Sequence, residues 1–112
     1  VILWGNGKAK REVIHVDDIA EACIFFMKKK TEHFLINIGT GKDYSIKYYL
    51  EFIAKVILGN KKIKIKYDKT KPNGSPRKVM DISLAKKYGW KSKMSLITSI
   101  RNTHKSFVRE NF

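Results

Sequence analysis

At 112 residues the chain has the length of one domain, and its apolar fraction of 43% is that of an ordinary globular protein. No apolar run approaches the roughly 20 residues needed to span a bilayer, and no basic start with an apolar segment behind it marks a secretory signal. Lys and Arg number 24 against 10 Asp and Glu, a formal charge of +14; this raises nucleic acid as a partner, although the cations are mostly lysines spread along the chain and fit a solvated surface equally well.

The chain opens Val1-Ile2-Leu3 without an initiator methionine, and the expectation is a piece of a longer protein. Next comes Trp4-Gly5-Asn6-Gly7-Lys8-Ala9-Lys10-Arg11, where two glycines one residue apart allow a tight turn or a close ligand approach between an indole and three cations. Such a loop suits a phosphorylated, ring-bearing ligand. Val13-Ile14-x-Val16 forms an apolar run, and Asp17 and Asp18 are expected to cap a helix and favour its positive end. From Asp17 to Lys30, Ile19, Ala20, Cys23, Phe26 and Met27 recur at helical spacing, which defines one face. Cys23 is expected in the core on that face. As the single cysteine it excludes an internal disulfide and a multi-thiolate metal site, and it fits a reducing compartment, the cytoplasm by default.

Phe34-Leu35-Ile36-Asn37-Ile38 before Gly39-Thr40-Gly41 predicts a buried strand entering a tight turn. Ser45 then caps a helix from Ile46 to Leu58, with Ile46, Tyr49, Leu50, Ile53 and Ile57 on one face and Gly59 as the stop. Strand, glycine turn and helix suggest a nucleotide loop. A dinucleotide fingerprint G-x-G-x-x-G, however, needs glycine where Tyr44 stands, and a phosphate loop ending at Gly41-Lys42 needs Gly at Ile36 and Ser or Thr at Asp43. No cofactor-binding residue is expected here. Lys62 to Tyr67 alternates strictly and predicts a half-buried edge strand. Lys69 to Lys78, with two prolines and an Asn-Gly step, is a loop and the second concentration of polar groups. A short helix around Ser83 to Tyr88 stops at Gly89, with Trp90 as packing anchor. The last helix runs from about Ser95 toward Glu110, with Leu96, Ile100, Phe107 and Val108 inward.

His15, His33 and His104 lack companions at metal-ligand spacing, so no metal is expected. Asp17 and Asp18 fit a helix start better than a catalytic pair, because adjacent helical residues point to different sides. Tyr67 and Lys71 have Tyr-x-x-x-Lys spacing, but a strand precedes and Pro72 follows, so the helix that would stack them is missing. No catalytic residue is expected.

Several stretches in order carry a resemblance: Trp4-Gly5-x-Gly7 with Arg11-Glu12 and His15-Val16-Asp17-Asp18; Asn37-Ile38-Gly39-x-Gly41 with Ser45-Ile46; Lys71-Pro72-Asn73-Gly74-Ser75-Pro76-Arg77-Lys78 with Asp81; and Gly89-Trp90. Together they resemble the C-terminal portion of the GDP-L-fucose synthase family of extended short-chain dehydrogenase/reductases. The resemblance implies an α/β fold of about four helices with a few short strands, the substrate-binding part of a Rossmann-like parent. Residues 1–112 would form a single substrate-binding unit, with the parent's N-terminal Rossmann cofactor domain outside it and Phe34 to Ile38 lending an edge to the parent's parallel sheet. The parent would convert a GDP-4-keto-6-deoxy sugar by epimerisation and NADP-dependent reduction, as a homodimer; this part alone would bind no cofactor and be inactive. Trp4 and Arg11 match family positions that contact substrate, and Asn73 stands where the family usually has Asp; Arg77 is a further candidate for phosphate. Two alternatives remain: a reductase or epimerase for another nucleotide sugar such as a GDP-heptose, and a basic nucleic-acid-binding module. Neither sequence-specific nucleic-acid binding nor membrane association is expected.

Overall fold

The computed structural model describes residues 1–112, in which four helices and five short strands follow one another as β1 (Ile2–Trp4), β2 (Lys10–Arg11), α1 (Val16–Lys28), β3 (Tyr44–Ser45), α2 (Ile46–Leu58), β4 (Lys66–Asp68), β5 (Arg77–Lys78), α3 (Ser83–Lys87) and α4 (Leu96–Asn111). The helix ends follow the local chemistry. Ser45 Oγ accepts the Tyr48 amide at 3.1 Å to start α2, and Gly59 at φ 65° ends it. Ser95 caps α4 in the same way through the Thr98 amide at 3.2 Å. The cap of α1 is His15, whose Nδ1 accepts the Asp17 amide at 3.2 Å; the aspartates expected to cap stand inside the first turn instead.

Two small sheets organise the chain. β1 pairs parallel to β4 with Leu3 opposite Tyr67, and β2 lies between β3 (antiparallel, Arg11 opposite Tyr44) and β5 (parallel, Arg11 opposite Lys78). The Lys62–Tyr67 strand is therefore shorter and later than its alternation predicts. Ile63 and Ile65 still turn inward while Lys62, Lys64 and Lys66 stay exposed, but only Lys66–Asp68 has a ladder partner, and that partner, β1, is too short to be legible in sequence.

The core gathers Ala22, Ala85 and Trp90, with Ile14, Phe25, Phe26, Ile36 and Ile38 packed against it. Trp90, at 2% exposure, is the anchor its position predicts, and its Nε1 donates to Glu21 Oε2 at 2.8 Å. Asp18 is buried, and its carboxylate accepts the amides of Lys93 and Met94 at 3.2 and 3.1 Å. That bond pair ties the start of α1 to the approach of α4.

Other expectations are corrected. Phe34–Ile38 joins no strand ladder; Ile36 and Ile38 reach the core while Phe34 and Leu35 stand in solvent. Cys23 and Met27 are exposed, because α1 turns Asp18, Ala22, Phe25 and Phe26 inward. Phe107 and Val108 are exposed too, since the second half of α4 extends past its neighbours. Val16, Ala20, Cys23 and Met27 form a second, exposed apolar stripe at helical spacing, so α1 is apolar on two faces, the pattern of a helix buried between layers. The whole chain exposes 8843 Å² at a mass of 13.0 kDa, against roughly 6,300 Å² for a compact monomer of that mass. No helix is long and apolar enough to cross a membrane.

Candidate functional site

Two backbone segments, the turn from Trp4 to Lys8 and the loop from Thr70 to Arg77, face each other and are stitched at both ends. At one end the β1–β4 ladder continues through Gly5 N–H to Asp68 O at 2.8 Å; at the other, Lys10 N–H donates to Pro76 O at 2.8 Å beside the β2–β5 ladder. Between them Asn73 Oδ1 accepts the Asn6 amide at 2.7 Å. Gly5 has φ 68°, and a Cβ there would overlap the Asn73 side chain, so glycine is required by both conformation and space.

Arg11 stands at the edge of this surface. Its Nη1 donates to the carbonyls of Lys10 at 2.6 Å and Ser75 at 2.7 Å, and Nη2 lies against Gly74. No carboxylate pairs with it. The guanidinium is thus held by neutral carbonyls while Nε and Nη2 keep donors to offer an anion. The backbone behind it is fixed as well, because the buried Tyr49 hydroxyl donates to Arg11 O at 2.9 Å. Burial pushes the Tyr49 phenol above its ordinary range, which keeps that donor protonated.

Trp4 is 64% exposed, with Lys71 Nζ 5.5 Å from its ring centroid. The indole is thus open to solvent within residues 1–112. The Asn73 contact uses only its side-chain carbonyl oxygen, an acceptor that a carboxylate at this position would also supply.

The structure ties Trp4, Arg11 and Asn73 separately to the two facing segments, through Lys71, Ser75 and Asn6, and gives Arg77 a different partner. Arg77 grips Asp43 through two bonds, Nε to Oδ2 at 2.5 Å and Nη2 to Oδ1 at 3.1 Å. That ion pair holds the Asp43 carboxyl below the usual carboxylate range and raises the Arg77 guanidinium. Arg11 also lines the first of two clefts. One of about 620 Å³ runs between α2 and α4 past Ile53, Ile57, Ile100 and Phe107, and another of about 440 Å³ lies between the glycine turn and the approach to α4. Trp4 and Asn73 line neither cleft.

A dinucleotide does not fit the Gly39-Thr40-Gly41 turn. The Thr40 and Gly41 amides, which would have to cradle a pyrophosphate, both donate to the Glu12 carboxylate, the latter at 2.7 Å. Glu12 also accepts the Met80 amide at 2.7 Å, a clamp between distant segments that no spacing in the sequence announces. No group of three or more His, Cys, Asp or Glu side chains converges as a metal site would need.

Comparison with known proteins gives the family likeness. Residues 1–39 match the model of the NAD dependent epimerase/dehydratase family. The chain is 38% identical over 108 residues to a putative GDP-L-fucose synthase 2 of Arabidopsis thaliana, covering 96% of this chain and 32% of that protein. It is 36% identical over 117 residues to the GDP-L-fucose synthase of Escherichia coli K12, covering 96% of this chain and 36% of that protein. Among solved structures it resembles the GDP-mannoheptose C4 reductase of Campylobacter jejuni, determined with NADP bound, at a TM-score of 0.79 and 31% identity, over 96% of this chain and 34% of the other. The chain thus spans about a third of the length of the curated relatives it matches.

In fold and sequence the chain is similar to a C-terminal part of extended short-chain dehydrogenase/reductases. Within that class it is GDP-L-fucose synthase-like.

Proposed function

We propose that this chain forms the nucleotide-sugar face of a GDP-4-keto-6-deoxy-sugar epimerase/reductase, in which Trp4 packs on base or sugar, Arg11 grips the diphosphate and Asn73 shapes the turn beneath them. The observation that carries the reading is Arg11: a guanidinium oriented by two carbonyls and paired with no acid, held by the same loop whose Lys71 lies over the exposed Trp4 indole. Arg77 is the weakest member of the set, because Asp43 occupies its fork. The reaction and the NADP it uses belong to the longer protein. Its cofactor domain would pack on the second apolar stripe of α1 and on Phe34 and Leu35, which accounts for the excess exposed area.

A GDP-heptose is the second reading, supported by the names of the C. jejuni neighbours, a GDP-mannoheptose C4 reductase and a GDP-6-OMe-4-keto-L-xylo-heptose reductase. The two readings share the nucleotide and differ in the sugar. Amide chemical shifts followed during a GDP titration test the placement. Perturbations centred on 4–11 and 70–77 support it, and perturbations centred on 39–42 instead would remove it.

A further inference from the structure

Next to Arg11, Glu12 takes more hydrogen bonds than any other carboxylate of the chain. Oε1 accepts the Thr40 amide, the Thr40 hydroxyl at 3.0 Å and the Gly41 amide at 2.7 Å; Oε2 accepts the Met80 amide at 2.7 Å. A Cβ on Gly39 would overlap Oε1, so the turn is closed tightly around the carboxylate. Consecutive residues in extended chain point to opposite faces, so Arg11 reaches toward Ser75 while Glu12 reaches toward the glycine turn.

These contacts bracket β5. Ser75, whose carbonyl orients Arg11, lies two residues before Arg77–Lys78, and Met80, whose amide Glu12 holds, lies two residues after it. The strand itself contributes only two residues of pairing to β2, too few to fix its own place. We propose that Glu12 is a positioning residue for the nucleotide site: it pins the exit of β5 against the glycine turn, and thereby keeps the Ser75 carbonyl where it aims the free donors of Arg11. The proposal rests on the reading of Arg11 as the diphosphate contact.

A double-mutant cycle in the protein as its gene encodes it tests this, with GDP as the probe. Glu12→Gln keeps one acceptor but turns an amide NH₂ toward either Met80 or the glycine turn, so one backbone donor faces another. GDP binding should weaken roughly three- to tenfold, the value of one lost hydrogen bond. Amide hydrogen exchange should accelerate at Met80 or Gly41. The double variant Arg11→Ala/Glu12→Gln should bind no worse than Arg11→Ala alone, because a residue acting through Arg11 has nothing left to act on. Additive losses, or wild-type affinity in folded Glu12→Gln, overturn the positioning role. If Glu12→Gln does not fold, Glu12→Asp, which keeps the charge and shortens the reach, takes its place in the cycle, where additive losses or wild-type affinity again overturn the role. An Arg11→Ala protein that binds GDP as well as the wild type overturns the underlying reading first, and this inference with it.

Discussion

Arg11 and Ser75 lie 64 positions apart and meet at 2.7 Å, Nη1 donating to the carbonyl. An arginine free in solvent loses roughly 2 kcal/mol of rotamer freedom when a ligand immobilises it. Here part of that ordering precedes binding, because the loop holds one nitrogen and leaves the others free. The proposed phosphate contact falls to Arg11 over Arg77 for this reason, since Arg77 is held by a carboxylate that an anion would have to displace.

Trp4 and Trp90 give the protein two indoles of opposite character, 64% and 2% exposed. Trp4→Ala should weaken GDP binding by about 1 kcal/mol, roughly fivefold, and leave the unfolding midpoint nearly unchanged, as an exposed residue should. Trp4→Phe should retain part of the affinity. Fluorescence follows it directly: GDP should quench the wild type, and the quench should vanish in Trp4→Phe, whereas persistence of the quench would assign it to Trp90 and remove Trp4 from the site.

The core makes contrary demands. Trp90→Ala should cost about 3 to 5 kcal/mol, through lost packing on Ala22 and Ala85 and the lost indole hydrogen bond to Glu21. Asp18→Ala leaves the Lys93 and Met94 amides without acceptors and should cost about 1 to 3 kcal/mol. Urea unfolding measures both. A loss under about 0.5 kcal/mol in either, the size of an ordinary surface substitution, would contradict the tie between α1 and the approach to α4.

How much of the fold is readable from sequence follows from how local each feature is. Ser45, Gly59 and the apolar spacing between them mark α2 because a cap, a stop and a face are all encoded within 15 residues. Trp4, Arg11 and Asn73 are legible as residue types in glycine- and proline-rich loops. Their meeting depends on two parallel ladders of non-adjacent segments, which no local pattern reports. Cys23 reads as a core residue because α1 carries two apolar stripes, and periodicity cannot say which one this chain buries. Phe34–Ile38 reads as a strand by composition, yet a strand needs a neighbour, and none lies within residues 1–112.

Acid stability should depend on two carboxylates. Hydrogen bonds from Lys93 and Trp90 lower the Glu21 pKa, and the Arg77 fork lowers that of Asp43. For a depressed carboxylate, the stabilisation is complete above the unfolded value and is lost as pH falls through the folded one. Stability should therefore hold down to about pH 4.5 and decline below it. In Glu21→Gln and Asp43→Asn the decline should be shallower, with the loss already present at neutral pH. Identical acid limbs in wild type and variants, recorded by circular dichroism, would show that these pairs contribute nothing.

The charge of +14 predicts polyanion binding at low salt that is indifferent to sequence and fades steeply as salt rises. Competition between unrelated duplexes checks it. Sequence-selective binding that persists at physiological ionic strength would favour the nucleic-acid module instead.

The most direct test is calorimetric titration of GDP into the protein as its gene encodes it and into its Arg11→Ala and Arg11→Lys variants. A charge-assisted contact is worth roughly 1.5 to 3 kcal/mol, so Arg11→Ala should weaken binding roughly ten- to a hundredfold with folding intact. Arg11→Lys should recover only part of the loss, because an ammonium keeps the charge and loses the planar fork. Equal GDP affinity in wild type and folded Arg11→Ala would contradict the assignment of this surface as a nucleotide-sugar site.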